Sequence, residues 1–370
     1  YITGAESDDI LSGEDGDDIL LGGANNDTLT GGDGNDIITG GSGVDNLTGG
    51  TGDDVYQFNT GDILTGESIN EVSNGGTDVI SILTSSDFSP FLGRSLDEIE
   101  EINFSGINQT ATFKSNQLNG ETILLSETIE GTSTLNINID EASSSFTKMT
   151  ASSFDNGSDM ININGTSSND TINGANISSS LFGNGGNDQI IGGTEADIIT
   201  GGPGNDTLTG GDGADTFNVD EGIDLILDLT TNDILNVSSG ATANVTNISA
   251  FLASSLSSNN GSASLATVAN GGTINLANIV TGGFTLNGGN GLDNLIGGKS
   301  EVELQQVYDL FLNYEEELKI RIGDFEKALL QTLNSKGSSI ITSITKDKAL
   351  TEKSEKDLQK IIEDLVSSFE

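Results

Sequence analysis

Large apolar residues return every ninth position over the first sixty residues. Leu11, Leu20, Leu29, Ile38, Leu47 and Tyr56 each stand in an otherwise polar, glycine-rich setting. A period of nine is too short for a helix pair or a propeller blade. It predicts very short strands on a chain that stacks on itself, with one inward residue per strand. Further along, TATF, TILLSE, LNINID and MININ alternate apolar and polar residues and read as strands, with Gly, Asn and Ser marking the turns. Their looser spacing fits either a continued solenoid or a β-sandwich insert. Residues 55–83 and 216–237 read as strand-rich closures of an array, which a solenoid end requires to cover its strand edges.

After Ser300 the pattern becomes helical. Leu358, Ile361, Ile362, Leu365 and Phe369 recur at three and four, with Thr351 as an N-cap candidate. Phe325, Leu329, Leu330 and Leu333 mark a second helix, opened by Asp324. Leu304, Val307, Leu310 and Phe311 mark a third. The expected fold is mainly β: a parallel β-roll or β-solenoid with strand-rich inserts, plus a small C-terminal α-helical unit. Its expected divisions are a first roll and closure over 1–83, a strand-rich insert over 84–164, and a second roll and closure over 165–240. A strand-rich segment ending in a truncated third array follows over 241–300, then a helical domain over 301–370.

The polar residues of the nine-residue word are as regular as the apolar ones. In the first array words begin at Gly4, Gly13, Gly22, Gly31, Gly40 and Gly49, and the sixth position is Asp9, Asp18, Asp27, Asp36, Asp45 and Asp54. In the second they begin at Gly165 and hold the frame to Gly210, with Asp170, Asp188, Asp197, Asp206 and Asp215 at position six. Ser179 is the single break. A third array opens at Gly288 with Asp293 and stops after one word. Glycine permits a turn that side chains with a β-carbon resist. Such a turn directs carbonyl oxygens to one side, and the aspartate adds a hard carboxylate. Calcium takes six to eight oxygens in flexible geometry, which two neighbouring turns can supply. The word GGxGxDxUx is the pattern of a calcium-binding parallel β-helix. The twelve position-six aspartates are therefore the candidate metal ligands, calcium is the expected cofactor, and stacking suggests roughly eight to ten ions.

Composition narrows the function. The chain carries 57 acidic against 13 basic residues, a net charge of −44. Only 15 of the acidic residues lie in 301–370, beside 9 of the basic ones, so the excess is concentrated before residue 300. Such a field repels phosphate backbones and anionic lipid, which excludes nucleic acid as a partner. His and Cys are absent, which removes imidazole bases, Ser-His-Asp triads, HExxH sites, thiolate nucleophiles and disulfides. No GxSxG elbow or GxxxxGK[ST] loop occurs, and no apolar run reaches the length of a membrane span. The chain is not expected to be an enzyme. It opens inside a repeat, at YITGAESDD, as a processed product or fragment would.

Residues 4–58 and 165–219 resemble the RTX (repeats-in-toxin) family of bacterial secreted proteins. Intervening stretches such as SGINQTATFKSNQLNGETILLSE are similar to those of large RTX surface and S-layer proteins. The resemblance implies a β-roll that folds with calcium outside the cell, export by a type I secretion system, and an extracellular or bacterial cell-surface location. It leaves activity open, since such arrays accompany toxins, proteases, lipases, adhesins and S-layers. The expected roles are a structural S-layer or surface-matrix protein that self-associates or, alternatively, an adhesin module that recognises a glycan or cell surface. Residues 311–334 (FLNYEEELKIRIGDFEKALLQTLN) and 347–369 resemble the C-terminal helical domain of the ATP synthase α subunit. That resemblance brings no ATP hydrolysis, because no phosphate loop is present. The abrupt end of the third array before this segment suggests a junction between two parts of different origin.

Overall fold

A computed structural model describes residues 1–72, 75–91, 96, 98–154, 158–279, 284–288, 292–297 and 352–366. The chain divides into two compact units, Tyr1–Leu227 and Asp228–Glu370.

In the first unit each nonapeptide makes one strand, and alternate strands join alternate sheets. Ile19–Ala24 pairs in parallel with Ile37–Ser42, with Leu20 opposite Ile38. Ile10–Asp15 pairs with Thr28–Asp33 and that with Asn46–Thr51, which places Leu11, Leu29 and Leu47 in one row. Two words thus make one coil, and position eight always points inward. Leu20, Leu29, Ile38, Leu47 and Tyr56 are fully buried. The core is therefore a pair of side-chain columns, each residue stacked on its counterpart one coil away.

The glycine turns follow from how closely the coils stack. Gly32 sits at φ 123°, and a β-carbon there would stand 1.9 Å from the Glu14 carbonyl oxygen of the coil before it. Gly202 in the second array is the same, at φ 92° and 1.9 Å from the Asn184 carbonyl oxygen. Where the word lacks glycine, Glu14, Asn25 and Asn184 adopt the left-handed conformation themselves (φ 71°, 77° and 67°). The turn is thus set by the stack, and glycine is the residue that enters it without strain.

The stretch 84–164 continues the same sheets, so the choice left open by its spacing falls to the solenoid. Val55–Phe58 pairs with Val79–Ile82, that with Glu101–Phe104, and that with Leu124–Glu127. Thr110–Lys114, Thr134–Asn138 and Met160–Asn164 stack in a second sheet, on which Ser179–Phe182, Ile198–Thr200 and Thr216–Val219 of the later array are laid. A third side runs from Ser143–Ser145 through Thr171–Asn173, Gln189–Gly193 and Thr207–Gly211 to Ile223–Ile226. The coils are longer here, and aromatic rings fill the wider interior. Phe88 stacks on Phe113 at 4.4 Å and meets the edge of Phe58 at 5.2 Å. One short helix, Ser115–Leu118, turns a corner, with the Gln117 side chain accepting the Lys114 N–H.

The second unit is also parallel β. Thr242–Ile248 pairs with Ser262–Thr267, with a shift of register between Val245 and Ile248, and Ser262–Thr267 pairs with Phe284–Asn287. Ala250–Leu252, Thr273–Asn275 and Asn294–Ile296 form a three-stranded ladder. The helix Glu352–Val366 forms where the three-and-four pattern places it, and Leu358 and Ile362 are buried. The helices expected around Leu304–Phe311 and Phe325–Leu333, and the segment 311–334 of the ATP synthase resemblance, lie outside the described residues, as does the Thr351 cap.

Candidate metal centre

Each position-six aspartate stands at the mouth of a strand, where the glycine turn delivers the chain to the sheet. From Asp9 to Asp54 and from Asp170 to Asp206 its backbone is tied to the neighbouring coil twice. The Asp9 carbonyl accepts the Thr28 N–H at 2.9 Å, and the Asp9 N–H donates to Asp27 Oδ1 at 2.8 Å. The second bond repeats along the array. Asp27 donates to Asp45 Oδ1, and Asp45 to Glu67 Oε2. On the other edge Asp18 donates to Asp36 Oδ1, Asp36 to Asp54, Asp54 to Asp78, and Asp78 to Glu100. In the second array Asp170, Asp188, Asp206 and Asp224 form one ladder. Ser179, Asp197 and Asp215 form the other. The structure thus brings eleven of the twelve candidate ligands together as four carboxylate ladders, and leaves Asp293 outside them.

One oxygen of each carboxylate is spent on this bond, and the other is not. Oδ2 of Asp27, Asp36, Asp45, Asp54, Asp188, Asp197 and Asp206 is buried without a hydrogen-bond partner. It lies against the first glycine of its own word. A β-carbon on Gly31 would stand 2.1 Å from Asp36 Oδ2, and one on Gly40 would stand 2.4 Å from Asp45 Oδ2. The leading glycine therefore leaves the room this oxygen occupies. Residues nearer the array ends differ. Asp9 and Asp18 are half-buried, and Asp9 Oδ2 accepts the Ala5 N–H at 2.8 Å. The amino terminus of Tyr1 lies 3.6 Å from Asp18. Asp170 Oδ2 accepts from the N–H and hydroxyl of Thr166. Asp215 is buried. In the second unit Asp293 stands outside the ladders, and its Oδ1 accepts the Thr267 hydroxyl at 2.6 Å and the Gly272 N–H at 2.9 Å.

Burial raises the carboxyl pKa of Asp27, Asp36, Asp45 and Asp206 above the usual range, with repulsion from neighbouring acids adding to it. The same cause lifts Asp54 and Asp188 to about 6 and Asp197 to about 8. A buried, unpartnered carboxylate oxygen is costly, and three of the four ladders hold two or more of them. A cation between coils would satisfy them. The donors are oxygens only, which suits calcium and disfavours metals that prefer nitrogen or sulfur. The residues present therefore fit the ion that the word implies.

Several ladder members were missed in the sequence. Asp224 is fully buried with an unpartnered Oδ2 and a pKa of about 7. Asp233, in the second unit, is buried with its Oδ2 accepting the Thr230 N–H. Both follow Asp215 at further intervals of nine, so counting on would have found them. Glu67, Asp78 and Glu100 fall out of frame because the coil lengthens. Their signal is local: each stands two residues before a buried isoleucine, namely Ile69, Ile80 and Ile102. Glu67 is pushed to about 8 by burial.

A parallel solenoid with carboxylate ladders along its coil edges is the arrangement of a cation-binding repeat. Four copies of the RTX calcium-binding nonapeptide repeat match this chain, over residues 1–29, 21–56, 164–199 and 191–226. The two arrays thus belong to the RTX family of calcium-binding repeats, and calcium is their ligand. No curated protein and no solved structure matches the chain.

Proposed function

We propose that this is an extracellular structural protein, an S-layer or surface-matrix component, whose coils are made rigid by calcium bound along the ladders. The observation that carries the reading is the row of buried, unpartnered Oδ2 atoms, since a fold built this way is incomplete without its ions. The proposed ligands are Asp9, Asp18, Asp27, Asp36, Asp45, Asp54, Asp170, Asp188, Asp197, Asp206, Asp215 and Asp293, with Asp224 added. RTX repeats are typical of secreted proteins, and no helix among the described residues is long and apolar enough to cross a membrane. Export by type I secretion and residence at the bacterial surface complete the proposal, and catalysis has no part in it.

An adhesin role is the second reading, and the side-chain amide rows favour it. Asn70 donates to Asn46, Asn162 to Asn136 and Asn164 to Asn138. These exposed or half-buried amide pairs offer polar groups of the kind that hold sugar hydroxyls. A calcium titration followed by circular dichroism, light scattering and negative-stain imaging separates the two. Strand signal and scattering that rise together, with sheets at the endpoint, mark a lattice builder. Strand signal that rises while the chain stays dispersed moves the search to glycan ligands. Strand signal indifferent to calcium defeats both.

A further inference from the structure

Where the first array ends, three carboxylates converge, two of which the nine-residue word does not account for. Asp54, Glu71 and Asp78 each bring an oxygen within 4.8 Å of the other two. Only Asp54 belongs to a repeat. Glu71 directly follows the strand Ser68–Asn70, and Asp78 directly precedes Val79–Ile82. Asp54 and Asp78 are fully buried and Glu71 is half-buried.

The group is aimed as well as crowded. Asp54 Oδ1 accepts the Asp36 N–H, while its Oδ2 is buried without a partner. A β-carbon on Gly49 would stand 2.2 Å from Asp54 Oδ2 and 2.3 Å from Glu71 Oε1, so the two oxygens converge on one spot. Glu71 is held there from several sides. The Tyr56 hydroxyl donates to its Oε1, as does the Gly49 N–H at 3.1 Å, and the N–H groups of Gly50 and Val72 reach Oε2 at 3.3 Å. Asp78 Oδ1 is fixed by the Asp54 N–H at 2.9 Å. Residues 1–93 contain no Lys or Arg, so the array itself supplies no basic side chain to neutralise the three.

We propose that Asp54, Glu71 and Asp78 form a separate calcium site that clamps the last nine-residue turn to the first longer coil. The ligand class follows from the donors, which are carboxylate oxygens in an irregular arrangement. Calcium accepts this at about 2.3–2.6 Å with water completing its shell, whereas magnesium demands a tighter octahedron. The place explains the need. Ile37 is opposite Val55, eighteen residues on, but Val55 is opposite Val79, twenty-four residues on, so the coil length changes here. An ion shared by Asp54, Asp78 and the intervening Glu71 pins the added residues where the repeat no longer does. The inference goes beyond the ladders, because Glu71 belongs to none of them and brings a third carboxylate beside the Asp54–Asp78 step.

Terbium, which replaces calcium on oxygen ligands, tests this on the full chain. The chain has no Trp and four Tyr, and Tyr56 touches Glu71, so an ion at this site emits when tyrosine is excited. The expected result is emission displaced by calcium and reduced several-fold in both Tyr56→Phe and Glu71→Gln. Equilibrium dialysis with calcium should count one ion fewer for Glu71→Gln than for the unaltered chain. Glu71→Gln preserves shape, and an unchanged calcium-induced circular dichroism signal would show that the arrays still fold. Equal calcium stoichiometry and undiminished emission in Glu71→Gln overturn the site. Failure of the ladders would look different, with tyrosine-sensitised emission intact and a total of a single bound ion.

Discussion

At the scale of the residue, the carboxylates make the calcium-free fold sensitive to pH in an unusual direction. Asp197 and Glu67 titrate near 8 and Asp224 near 7, each raised by burial from about 4 in the unfolded chain. The folded state then holds more protons than the unfolded state between those values, so stability falls as pH rises. Without calcium, the stabilising effect of these protons is fully present below about pH 4 and lost through about pH 8. Calcium displaces the same protons, so its affinity should climb over that window. Thermal melts in chelator should show the midpoint falling from pH 5 to pH 8, and calorimetry in two buffers should show proton release on binding. Asp197→Asn removes one titrating group. It should flatten the chelated profile and weaken calcium binding, and an unchanged profile would count against the burial argument.

At the scale of the element, each coil is a unit of one inward side chain per strand and one glycine turn per edge. Leu29→Ala opens a hole in a fully buried column and should cost about 2–5 kcal/mol. Leu11→Ala, at a half-buried end position, should cost less. Gly32→Ala forces a β-carbon into the Glu14 carbonyl at a positive φ and should cost at least about 1–3 kcal/mol. Urea midpoints of the three variants in saturating calcium check the ranking, and equal losses for Leu29 and Leu11 would mean the column is not the core. These elements were the most legible part of the sequence, because position six and position eight are fixed by one period. Asp224 is equally legible by counting, although Val219 and Asp220 stand where the word has its two leading glycines. Glu67, Asp78 and Glu100 were not readable by counting, since the register of a longer coil is set by pairing with the previous one and not by local spacing. The same limit left residues 84–164 undecided. Alternation gives a strand its faces, but which strands it lies between is decided by stacked partners distant in sequence, such as Ile80, Ile102 and Leu125.

At the scale of the whole molecule, the net charge of −44 poses the question of which cations can hold the chain folded. Much of that charge is exposed and ordinary salt screens it. The ladders are a different case. Stacked carboxylates in a parallel sheet repeat at about 4.8 Å, inside the screening length of about 8 Å at physiological ionic strength. They are also buried, so mobile ions do not come between them. At an effective dielectric constant near 20, neighbouring charges at that spacing repel by on the order of 3 kcal/mol. Each filled site adds about 2.7 kcal/mol when free calcium is a hundredfold above its dissociation constant, and many sites act on one fold. The melting midpoint should therefore rise steeply with the logarithm of calcium concentration. Sodium chloride raised to the same ionic strength in chelator should recover only a small part of that rise. A sodium titration that restored the full midpoint would show that diffuse self-repulsion, and not the ladders, is what calcium relieves.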